Sequence, residues 1–179
     1  MIIAICFLLI SLYVYIIIKS RGGKMETVFD MASINYPYGV LHDQKLKSVR
    51  NEDNKFIFIF DIEVFKEDYY DEEIYEKYKN YKHCDMTVEM NNEPFNYFEL
   101  VSPINNKGKF KGLSLNRENF VDVINNATSS SFVSCSATYS EFKIELSVYF
   151  DKKGKYKKYN KYGMFQITLD AKKVTWNYY

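Results

Sequence analysis

The chain has 179 residues, 47% hydrophobic and 18% aromatic, with 24 basic against 23 acidic side chains and a net charge of +1. That is ample apolar material for a core and excludes a low-complexity disordered chain, while the near balance of charge disfavours a globally basic nucleic-acid binder. Lys outnumbers Arg 21 to 3, and with abundant Phe, Tyr, Ile and Asn this points to A/T-rich codons, so part of the Lys and Tyr content needs no functional reason.

In chain order, Ile2–Ile18 is a run of 17 uncharged, mostly aliphatic or aromatic positions followed by Lys19, Arg21 and Lys24. As a helix it would span about 25 Å, the short end of what crosses a bilayer, and its basic flank would leave the C-terminal body in the cytoplasm. A second reading stands beside it. Arg21-Gly22-Gly23-Lys24-Met25 can be encoded by a purine-rich ribosome-binding site placed before a start codon, which would make residues 1–24 a translated leader and the protein cytoplasmic. Without residues 1–24 the body, 25–179, holds 21 basic and 23 acidic residues, a net of −2, and is about one domain in size.

The body alternates mainly with a period of two, the signature of strands. Leu41–Arg50 and residues 56–65 form a candidate pair across the polar turn Asn51–Asn54. Cys84, Met86, Val88 and Met90 alternate with Asp85, Thr87 and Glu89, and Phe95–Val101 is expected to complete a hairpin with them. Phe132–Tyr139, residues 141–150, Met164–Asp170 and Val174–Tyr178 are further short strands, with Trp176 placed in the core. A helix is expected from Asn116, an N-cap, through Ile124, and a weaker one over 71–82. These elements predict an α+β fold, mainly antiparallel β: a sandwich-like or half-barrel sheet with one or two short helices, preceded by the N-terminal apolar helix. Cys84 and Cys135 fall on apolar strand faces, as buried free thiols would in a reducing compartment.

Groups that carry chemistry are few. His42-Asp43 would point to opposite faces if it lay on a strand, and His83-Cys84-Asp85 has no second cluster at zinc spacing. No phosphate loop or nucleophile elbow occurs among seven glycines. No catalysis, cofactor, metal or small-molecule substrate is therefore expected, and nucleic acid is disfavoured as a partner.

Two charged stretches remain. Glu67, Asp68, Asp71, Glu72, Glu73 and Glu76 interleave with Tyr69, Tyr70 and Tyr75. The plain reading is a solvated loop; the functional one is a docking surface for a basic protein, with Tyr supplying rigid contact area and the carboxylates steering the encounter. Lys152, Lys153, Lys155, Lys157, Lys158 and Lys161 interleave with Tyr156, Tyr159 and Tyr162. Here the plain reading is a solvated hairpin tip, and the functional one is contact with an anionic inner leaflet.

The stretch Tyr38-Gly39-Val40-Leu41-His42-Asp43, followed by a charged strand and an aromatic strand, resembles the start of small β-rich immunity proteins of bacterial polymorphic and contact-dependent toxin systems. The resemblance covers residues 38–65 and implies a non-enzymatic inhibitor that occludes a cognate toxin, a basic toxin domain meeting residues 67–81. The alternative is a membrane-tethered structural or accessory protein whose Lys/Tyr hairpin lies on the inner leaflet.

Overall fold

A computed structural model of the protein describes residues 25–30, 41–66, 72–91, 96–102, 111–138 and 141–179. Residues 1–24, the expected apolar helix or leader, lie outside them. Within the described residues no helix is long and apolar enough to cross a membrane.

Nine strands run β1 (Met25–Asp30), β2 (Lys45–Glu52), β3 (Lys55–Asp61), β4 (His83–Met90), β5 (Asn96–Val101), β6 (Gly112–Leu115), β7 (Ser129–Thr138), β8 (Glu141–Tyr149) and β9 (Met164–Tyr178). Among the described residues two α-helices, α1 (Glu72–Tyr78) and α2 (Arg117–Asn125), accompany them. Every pairing is antiparallel, in the order β4-β3-β2-β7-β8-β9, and β9 then pairs with β4 to close a six-stranded barrel. The antiparallel expectation holds; the half-barrel and sandwich are replaced by closure.

Closure rests on β9, which is one 15-residue strand rather than the two short ones expected. Its first half pairs with β8 on one flank and β5 on the other. Its second half pairs with β4 and β1. The inward positions shift phase along the strand, from Phe165, Ile167, Leu169 and Ala171 to Val174, Trp176 and Tyr178. A register irregularity opposite Glu89 and Met90 marks the shift, and a bulge of this kind bends a strand and sharpens its twist. The expected β4–β5 hairpin does not form: both strands lie along β9, one after the other, and β5 pairs with β6 instead.

The weakest seam of the barrel lies between β2 and β7, where the ladder is a single pair, Lys45–Ser131. Beyond it the side-chain amide of Asn125, the last residue of α2, takes the place of a neighbouring strand. It accepts from the Val49 N–H at 2.7 Å and donates to the Val49 carbonyl at 2.8 Å. The helix starts as its sequence predicts: Asn116 caps it, its Oδ1 accepting from the Asn119 N–H at 2.8 Å.

The interior is filled by side chains. Phe120 of α2 stacks on Phe98 of β5 at 4.5 Å and meets Phe56 and Phe165 edge-on. Trp176 packs edge-on against Phe142 deep in the barrel, in the core position expected of it. Cys84 and Cys135 are buried free thiols, and burial pushes both up, Cys135 to about 12.

Candidate functional site

The two charged stretches are set at opposite ends of β9. The lysine-rich loop leads into its first residue, and α1 packs beside its last, Tyr78 meeting Tyr178 at 4.9 Å between ring centroids. A 15-residue strand separates them by roughly 45 Å along its path.

At the α1 end, Glu72, Glu73 and Glu76 are exposed and Tyr75 is half-buried. Glu67, Asp68, Tyr69, Tyr70 and Asp71 lie outside the described residues. The helix suits its sequence, with Glu72 and Glu73 in the first turn and Lys77 in the last, each sign at the favourable end of the helix dipole. Its anchor is Tyr78, buried against Tyr81 and Tyr178, with its hydroxyl raised to about 12 by burial. The carboxylates are not a bare negative surface. Lys66 Nζ lies 3.0 Å from Glu72 Oε1, and Lys79 pairs with Glu76. The Lys66 ammonium is held above its ordinary value, first by its hydrogen bond to Glu72. With Lys66, Lys77 and Lys79 near the three glutamates, the described part of this end is close to neutral, and the excess negative charge of the stretch belongs to residues 67–71.

At the other end, Lys152, Lys153, Lys155, Lys157, Lys158 and Lys161 are all exposed, while Tyr159 and Tyr162 are buried and Tyr156 half-buried. The segment is an ordered loop rather than a simple hairpin tip. Gly154 sits at φ +89°, a conformation that favours glycine. After it a 3-10 turn over Lys157–Tyr159 is closed by Tyr159 N–H to the Tyr156 carbonyl, and Tyr162 N–H reaches the Tyr159 carbonyl, both at 2.9 Å. Tyr156 ties the loop to α2 by donating to the Asp122 carboxylate, 2.9–3.0 Å from its oxygens. Lys155 donates to the Tyr156 hydroxyl at 2.9 Å, the main cause of its raised value, with Asp122 next. Among the described residues it is the one lysine of the six with a carboxylate in ion-pair range.

Between this loop and β6 lies an open cleft of about 380 Å³, lined by Leu113, Leu115, Lys158, Tyr159, Lys161 and Tyr162. Leu113 and Leu115 sit across the ladder from the buried Leu100 and Phe98, so they share the inner face. Unlike those partners they are only partly covered. Sequence reasoning missed β6 because its alternation lasts four residues; the Leu-Ser-Leu spacing was the signal.

The histidines go elsewhere. Residues 41–44 form a turn, with Asp43 at φ +63°, so His42 and Asp43 meet at 2.8 Å on the surface rather than pointing apart as strand neighbours would. His83 faces outward and its Nδ1 lies 3.0 Å from Asp61 Oδ1, while Cys84 points into the core. Among the described residues no three His, Cys, Asp or Glu side chains converge as metal ligands would.

No family model, no curated protein and no solved structure matches this chain.

Proposed function

We propose that the protein is a binding module without chemistry of its own, an immunity-type inhibitor that occludes a cognate toxin. The observation that supports this reading is that large side chains such as Trp176, Phe142 and Phe58 are buried in the barrel. Recognition then falls to the outer surface, with the lysine-rich loop at one end of β9 and the paired glutamates of α1 at the other. On this reading a basic toxin domain meets the α1 end, through Glu72, Glu73, Tyr75 and Glu76 together with residues 67–71. Lys66 and Lys79 would exchange their intramolecular partners for solvent as the complex forms.

Glu72→Lys, Glu73→Lys and Glu76→Lys combined, in the full chain, test this. Surface reversals of this kind leave melting within a few degrees, because exposed ion pairs contribute about 0–1 kcal/mol each. Protection against the toxic domain that the unaltered chain neutralises is expected to be lost. A triple variant that folds and protects fully would contradict the α1 surface.

A second reading is favoured by one specific observation, the outward turn of six lysines while Tyr159 and Tyr162 turn in. A basic loop of this form suits an anionic inner leaflet, at about 1 kcal/mol per lysine near the surface.

A further inference from the structure

We infer that the cleft between β6 and the lysine-rich loop is a binding site for a small amphiphilic anion, a single apolar chain ending in a carboxylate. The inference does not rest on the toxin reading, and it gives Lys158 and Lys161 a different ligand from the membrane reading. Its floor is aliphatic, Leu113 and Leu115, and its wall aromatic, Tyr159 and Tyr162. At about 380 Å³ it matches the low end of small-molecule pockets, the size for one short chain rather than a two-chain lipid.

Charge complementarity decides the head group. Lys158 Nζ stands 4.8 Å above the Tyr159 ring and Lys161 Nζ 5.3 Å above the Tyr162 ring. Each ammonium is thus folded back over the wall of the cleft, and among the described residues neither has a carboxylate within ion-pair distance. Lys155, on the same loop, has Asp122 and lines no part of the cleft. Two unneutralised ammonium groups three residues apart, beside an apolar trough, fit a carboxylate whose chain lies along Leu113 and Leu115. They are point charges rather than planar forks, so a single compact anionic group meets them and no bidentate geometry is required.

The test titrates the full chain with decanoate, followed by NMR of the Leu113 and Leu115 methyl groups and the Tyr159 and Tyr162 rings. Saturable one-to-one binding with shifts centred on these residues is expected. Decanol, with the same chain and no charge, and the Lys158→Gln/Lys161→Gln variant should each bind at least about tenfold more weakly, since charge-assisted hydrogen bonds are the strong ones. Lys152→Gln/Lys153→Gln, which removes equal charge from the same loop outside the cleft, should bind as the unaltered chain does. Equal weakening by both variants, equal binding of decanol, or shifts that do not saturate would overturn the site. So would binding to phosphatidylglycerol vesicles without any decanoate response, which would assign the lysines to a membrane surface alone.

Discussion

Phe120 of α2 touches rings from β3, β5 and β9 at 4.5–6.0 Å between centroids. The i, i+4 pair Phe120/Ile124 made this face legible in the sequence, and both residues are buried. Phe120→Ala should therefore cost about 3–5 kcal/mol, measured by denaturant unfolding; a loss under about 1 kcal/mol would mean that Phe120 does not anchor α2 on the sheet. The buried thiols and Tyr78 give a pH dependence with a definite sign. Cys84, Cys135 and Tyr78 are all raised above their ordinary values by burial. The folded chain keeps these protons where the unfolded chain has released them, so stability is full below the ordinary thiol range and falls as pH rises through it. Unfolding free energy should drop steadily from about pH 8 to about pH 11, and a flat profile would contradict the burial of these groups. The His42–Asp43 contact was not legible, because a period-two reading places neighbours on opposite faces and says nothing of a left-handed residue at Asp43.

Among the elements, β9 shows why alternation alone under-determines a barrel. Its inward residues are odd-numbered up to Ala171 and even-numbered from Val174, so a strict period-two pattern reads as two strands with a break. In the fold that break is the bend that lets one strand border β8 and β5 and then β4 and β1. The β4–β5 hairpin failed for a related reason: two alternating runs joined by a short connection look like partners whether they pair with each other or both pair with a third strand. Barrel closure was invisible for the same cause, since the β4–β9 pairing joins residues far apart in sequence. Hydrogen exchange separates strong seams from weak ones. The β4 and β9 amides, with ladders on both flanks, should exchange only by global unfolding, whereas β2, bordered by one ladder pair and Asn125 on its outer flank, should open locally. Asn125→Ala should speed exchange at Val49 and cost about 1–3 kcal/mol; fast exchange of the β4–β9 ladder amides would contradict closure through β9.

For the whole molecule, the net charge of +1 describes little. Charge is arranged by position: six exposed lysines lie where β9 begins, and at its end the glutamates of α1 are offset by Lys66, Lys77 and Lys79. The basic end was readable as a run of lysines, and its tyrosines were not: the sequence cannot tell an aromatic that contacts a partner from one that holds the loop down, and Tyr159 and Tyr162 do the latter. The acidic end was readable only as composition, because the Lys66–Glu72 and Lys79–Glu76 pairs depend on α1 folding beside residue 66. On the proposed reading the recognition groups lie on the outer surface and the mode of action is association. The most direct test screens toxic domains for one that binds the full chain and titrates it, with toxin activity as readout. Inhibition that rises linearly and is complete at one-to-one stoichiometry, in a stable complex with the toxin chemically unchanged, is the predicted result. Full protection at substoichiometric amounts, or none at any ratio, would contradict it.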